Sequence, residues 1–306
     1  MCSRSLGTCL FFSVCTLLTL GVTRSDSPRA RAHLRFFFWK VPLWAGLVVL
    51  SFLPSNAVMD QYFQACRAGG ACFLLLQLVF ILDYVVAMNE RCLEADDGPA
   101  RATLIGGALV TNAGTIAGIA CLYVYLWEGQ RDLAFITVTL LLFVLFTAVS
   151  LLPATNGGVF TSGAVSAYCL YLCASAIVSD PHRSSGEPVW LQAVGFAIAM
   201  CALVYAIFSN QIAFEAREPG DEGGEDAEPE DVHPLGYSFF HLIFVLGAMY
   251  SAMLFTNWSS ADTYASLSVD KGVASMWVKI SCEWACAVLY LWIMVAPCLF
   301  PDREFS

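Results

Sequence analysis

Charge is scarce in this chain. Of 306 residues only 13% are Asp, Glu, Lys or Arg, about half the share of an ordinary soluble domain. That composition excludes a soluble globular protein. Outside one acidic run the chain is near neutral, and phosphate binding rests on clustered Lys and Arg, so nucleic acid is not an expected partner. Four histidines are too few and too dispersed for a metal cluster, since His33, His182 and His233 fall in loops. Catalytic signatures are missing as well: there is no GxSxG elbow, no HExxH and no glycine-rich phosphate loop ending in Lys-Ser/Thr. The chain reads as a non-enzyme that implies no metal and no cofactor. Its 13 cysteines include no CxxC pair and read as small buried hydrophobes. Cys66 and Cys72, placed on or near the outer side by the topology below, are able to form a disulfide, although nothing in the sequence requires one.

Apolar residues are what the chain has in abundance, 58% of the total. A helix needs about 20 mostly apolar residues to cross a bilayer. Nine segments meet that criterion, at roughly 6–23, 40–58, 68–88, 102–127, 133–153, 159–179, 189–209, 237–256 and 276–300. The expected fold is an all-α polytopic membrane bundle. The second segment is the weakest, because it carries Pro42, Pro54 and Asn56. Arg4 followed by the apolar run Cys9–Val22 also resembles a signal peptide, but the run lacks a small-x-small cleavage site and a basic stretch follows at once, as behind a stop-transfer anchor.

The formal charge of −10 comes largely from one place. Nine carboxylates lie between Glu215 and Asp231, with only Arg217 against them. This run is rich in Pro, Gly and Glu and too poor in apolar residues to offset its ordering entropy. The chain therefore divides into helices 1–7 over 1–209, an acidic disordered cytoplasmic loop over 210–236, and a C-terminal helix pair with a short tail over 237–306. The loop is a candidate docking segment for cytoplasmic partners. Homo-oligomerisation is compatible with the sequence.

Orientation follows from short-loop basic residues. Arg24, Arg29, Arg31, Arg35 and Lys40 put the loop after the first segment in the cytoplasm. Alternation then places 89–101, 154–158, 210–236 and the C-terminus inside and 257–275 outside. The Asn257-Trp258-Ser259 sequon is outside but abuts the membrane. Trp39, Trp127, Trp190, Trp258 and Trp277 fall at segment ends, as interfacial anchors do.

Polar groups within the spans are the candidate functional residues, because an intramembrane charge is costly and faces a partner or water. Asp83 sits inside LLQLVFILDYVVAMNE (75–90). With the span ending near Met88 it lies roughly 8 Å inside the cytoplasmic edge. Glu90 follows at i+7 on the same face. His241 and Lys40 start their segments on that side and are candidate partners of Asp83. Lys279 and Glu283 lie near the outer end of the last segment at i and i+4, able to pair with each other, with snorkelling of Lys279 to the outer interface as the alternative. Each set reads either as satisfied packing groups or as the lining of a lipid-headgroup groove. For Asp83 the groove is favoured, because Glu90 extends a polar stripe. Gly107, Gly114 and Gly118 form a small-xxx-small packing surface, with Asn112 as interhelical glue.

YSFFHLIFVLGAMYSAMLFTNW (237–258), MWVKISCEWACAVLYLWIMVAP (276–297) and the terminal REFS resemble the closing pattern of the serine incorporator (Serinc, or TMS membrane protein) family. SDSPRARAHLRFFFWK (25–40) is similar to its basic loop, and residues 75–90 to its aspartate-bearing helix. Members usually begin with a cysteine-rich stretch and about two further spans, whereas this chain starts where their third would be. Cys282-Glu283 replaces small polar residues of many members, and the Glu283-Trp284 pair is more like plant or algal relatives. The resemblance implies about ten helices in two subdomains joined by a long crossing helix, in an endomembrane or the plasma membrane. It also implies phospholipid handling: ATP-independent scrambling, or support of serine incorporation into phosphatidylserine and sphingolipids. A serine-like solute transporter or channel, and a scaffold or receptor acting through the acidic loop, are the alternatives.

Overall fold

The structure, a computed structural model, describes residues 2–21, 37–95, 97–152, 158–180, 236–256 and 272–299, with His182 and a few positions between 194 and 205. Among these residues there are eight helices and no strand. They are α1 (Cys2–Thr19), α2 (Phe37–Leu50), α3 (Asn56–Ala95), α4 (Gly98–Cys121, continued by a π turn over Leu122–Leu126), α5 (Gln130–Ser150), α6 (Val159–Val178), α7 (Gly236–Thr256) and α8 (Val273–Leu299). Five of them, α3, α4 with its π turn, α5, α6 and α8, are long and apolar enough to cross a membrane. The chain is an all-α, multi-pass integral membrane protein. The basic loop at 24–35, most of the 189–209 span, the acidic loop up to Gly236 and the sequon lie outside the described residues.

Local sequence sets the helix starts. Asp97 has extended backbone and accepts a hydrogen bond from Ala100 N at 2.8 Å, with Pro99 in the first turn of α4; both are ordinary N-terminal signals. Gly129 and Gly158 occupy the same extended position before α5 and α6.

The second and third spans differ from their expected bounds. Helix α2 ends at Leu50 and a turn follows, and α3 starts at Asn56, twelve residues before the expected 68, and continues to Ala95. Polarity at Asp60, Gln64 and Arg67 ends the apolar run but not the helix, because no Gly or Pro interrupts 56–68. At 40 residues, α3 is about 60 Å long, about twice the hydrocarbon core. This continuity also removes the Cys66–Cys72 disulfide. Six residues along one helix place the two about 120° apart around the axis, with Cys66 buried and Cys72 exposed, a geometry that no disulfide spans.

The chain forms two compact units, residues 1–77 with 195–270 and residues 78–194 with 271–306. The division falls within α3, whose residues 56–77 belong to the first unit and 78–95 to the second. In the first unit α1 packs against α2 and α7. A Cβ at Gly7 would come within 2.5 Å of Val48 Cα, so only glycine permits that backbone approach. Phe12 stacks on Phe244 at 4.7 Å and Phe73 on Tyr250 at 5.1 Å. These rings, with Met200 and Leu254, line a cavity of about 200 Å³.

In the second unit α6 is the central helix, packed by α4, α5 and α8. Ile119, Leu122, Phe135, Ile136, Cys173, Ile177, Met276 and Ile280 form its apolar core. Gly107 and Gly118 face α6, where Phe160 and Leu170 leave no space for a side chain, but the space beyond Gly114 is open. The packing surface is thus Gly107 and Gly118 without Gly114. Around the axis Gly114 lies only about 20° from Gly107, so what separates the two is the side chain that α6 presents at each level and not the face of α4 they sit on. Asn112 bridges to α6 through a hydrogen bond from Nδ2 to Val159 O at 3.3 Å.

Candidate functional site

Polar side chains of α8 line one buried stripe of the second unit. Ser275, Lys279, Glu283, Cys286 and Tyr290 are all buried. Their spacing of four, four, three and four returns each to the same face over about 22 Å. The apolar run around them makes the helix; this stripe faces α5 and α6 rather than lipid.

Lys279, 4% exposed, donates from Nζ to Ser179 Oγ at 2.7 Å and to Ser175 O at 3.4 Å. It does not snorkel to an interface: the end of α6 supplies its acceptors inside the protein. Ser275 donates to the same Ser179 Oγ at 3.4 Å, and Gly272 N reaches Ser179 O at 2.9 Å. Ser179 therefore gathers the start of α8. Next to it Asp180 forms an ion pair with Arg131 from the first turn of α5. Asp132, also buried, accepts from Glu128 N at 3.3 Å.

One turn further along α8, Glu283 is 1% exposed. Its Oε1 lies 2.7 Å from Thr139 Oγ1 on α5, and its Oε2 has no hydrogen-bond partner among the described residues. The i, i+4 pair is thus divided between neighbours, Lys279 toward α6 and Glu283 toward α5. Cys173 and Cys169 of α6 complete the surroundings of the carboxyl.

The acidic stripe of α3 has the opposite character. Asp83 and Glu90 are exposed, while Leu82, Val85 and Asn89 are buried on the other side of the helix. Asp83 falls in the second unit, and Lys40 and His241 fall in the first. His241 is 4% exposed, with ring centroids 6.1 Å from Phe12 and 5.4 Å from Phe240. Lys40 is half-buried near Cys15.

Thr139, Ser175, Ser179 and the Arg131–Asp180 pair were not singled out from the sequence. The 275/279/283/286/290 spacing on an apolar helix was the available signal for a polar seam, but it carries no information about which helix supplies the partners.

The profile of the family described as Serine incorporator (Serinc) matches residues 4–225 and 209–303. A "Probable serine incorporator" from Nematostella vectensis is 26% identical, covering 98% of this chain and 79% of the relative. "Serine incorporator 3" from Mus musculus is 27% identical, covering 97% and 78%, and "Serine incorporator 2" from Homo sapiens 26%, covering 94% and 75%. With a family match over nearly its whole length, the chain belongs to the serine incorporator family.

Proposed function

We propose that this protein handles phospholipids, passing them between leaflets without ATP, and that the Asp83–Glu90 stripe of α3 offers the path for the headgroup. The observation that carries this reading is the exposure of both carboxylates on one face of a membrane helix. A charge at membrane depth costs about 2.5–3.5 kcal/mol even on the most lenient scales, and a stripe exposed as these two carboxylates are is open to water and headgroups along its outer side. A zwitterionic or anionic headgroup with its water is the solute that a membrane supplies there. The names of the relatives point to serine, and support of serine incorporation into phosphatidylserine and sphingolipids is the second part of the reading. Membrane phospholipids are then the partners.

Purified protein in liposomes, assayed in parallel for flip of a fluorescent phospholipid and for uptake of labelled serine, is the test. Lipid flip above protein-free liposomes is expected. Serine uptake without flip would replace this reading with the solute transporter, and inactivity in both assays would overturn it.

A further inference from the structure

Thr139 has one hydroxyl proton and two oxygen acceptors in reach, with the Cys173 thiol beside it as a third hydrogen-bonding neighbour. Its Oγ1 lies 3.0 Å from Phe135 O, one turn back on α5, and 2.7 Å from Glu283 Oε1. An ionised carboxylate only accepts, and a hydroxyl gives one donor and two acceptor lone pairs. With Glu283 ionised, the single Thr139 proton has to serve both short contacts as a bifurcated bond. With a proton on Glu283 Oε1 both are satisfied: Glu283 donates to Thr139 Oγ1, and Thr139 donates to Phe135 O, the usual back-bond of a helical threonine.

The other oxygen agrees. Glu283 Oε2 is buried without a hydrogen-bond partner among the described residues. As half of a carboxylate it would be a buried charge without a donor, a state in which a group neutralises instead. As the carbonyl oxygen of an acid it is a neutral acceptor left unpaired, at a cost of about 1–3 kcal/mol. Among the described residues the groups facing it include a cation, Lys279, whose ammonium donates to Ser179 and Ser175 of α6. On α8 these are Lys279, whose Nζ is directed to Ser179 and Ser175, and Cys286; on α6 they are Cys169 and Cys173; on α5 they are Thr139 and, beyond Cys173, Asp132.

We propose that Glu283 is a proton-binding site in the core of the second unit, held there as the neutral acid with its proton donated to Thr139. The ligand is the proton itself. The site releases it only when α8 parts from α5 and water reaches the carboxyl, so proton release accompanies loosening of this seam. This inference is independent of the lipid-handling reading.

Infrared spectroscopy of the purified full chain at neutral pH tests it. A protonated-carboxyl carbonyl band that shifts in heavy water is expected. It should survive Asp132→Asn and Asp83→Asn, disappear in Glu283→Gln, and move to higher frequency in Thr139→Val, which lacks the acceptor. Absence of the band in the unmodified protein, or its persistence in Glu283→Gln, would overturn the proposal. Melting temperatures give a second readout. The packed form keeps a proton that the opened form gives up, so raising the pH favours the opened form. The advantage of Glu283→Gln over the unmodified protein should therefore grow as pH rises, and a difference that stays constant with pH would also overturn it. Should Glu283→Gln not fold, the band of the unmodified protein and its shift in Thr139→Val decide alone.

Discussion

Lys279 Nζ sits 2.7 Å from Ser179 Oγ, and this contact fastens the start of α8 to the end of α6. Hydrogen bonds to charged groups contribute about 1.5–3 kcal/mol. Ser179→Ala removes the acceptor while the ammonium stays buried, so the bundle should lose stability of that order in thermal or denaturant unfolding. Ser275→Ala, whose hydroxyl reaches Ser179 only at 3.4 Å, should lose less. Equal and negligible losses would show that the ammonium finds other acceptors.

The glycines of α4 make a sharper comparison, because three chemically equal positions differ only in what lies beyond them. A Cβ at Gly118 would come within 2.3 Å of Leu170 Cδ2, and one at Gly107 within 2.7 Å of Phe160 Cε2, but Gly114 has open space. Overpacking costs about 1–3 kcal/mol. Gly107→Leu and Gly118→Leu should lower the melting temperature and Gly114→Leu should leave it nearly unchanged. A similar loss at all three positions would mean that helix α4 packs on another face.

The two ends of the second unit carry the orientation test. Glu128, Arg131 and Asp180 gather at the end where α5 and α8 begin and α6 finishes, which the basic loop at 24–40 assigns to the outside. Glu94, exposed near the end of α3, is assigned to the cytoplasm. With native thiols blocked, cysteine introduced at Glu128 should react with an impermeant external reagent, and cysteine at Glu94 only after permeabilisation. The reverse pattern would invert the topology.

The extent to which the fold could be read from sequence depended on which physical signal set each feature. Apolar length located α5, α6, α7 and α8 to within a few residues, since burial in lipid and helix length coincide there. It misplaced α3, where helix propensity continues past the apolar run through Asp60 and Arg67. It also left Gly114 grouped with Gly107 and Gly118, because a spacing rule defines a stripe but not the angle at which α6 crosses it. Lys279 and Glu283 were legible as costly groups on one face. That the first turns to Ser179 and the second to Thr139 is tertiary information: residues a hundred or more positions apart meet only through the packing of three helices.

Asp83 separates a packing role from a functional one. Its side chain is exposed on α3 with Glu90 a further two turns along the same face, while the neighbouring Leu82 and Val85 carry the packing. Exposed substitutions of this kind usually change stability by within about 0.5 kcal/mol. A carboxylate that held a buried cation would behave otherwise, since removing one partner of a dry ion pair costs about 3–5 kcal/mol. Asp83→Ala and Asp83→Asn should therefore keep the melting temperature of the unmodified protein and slow phospholipid flip in liposomes, and adding Glu90→Gln should slow it further by emptying the stripe of charge. Combining Asp83→Ala with His241→Ala distinguishes the remaining case: a large loss of stability in Asp83→Ala that the second change restores would make the residue a packing group, and undiminished flip in a stable Asp83→Ala would remove it from the lipid path.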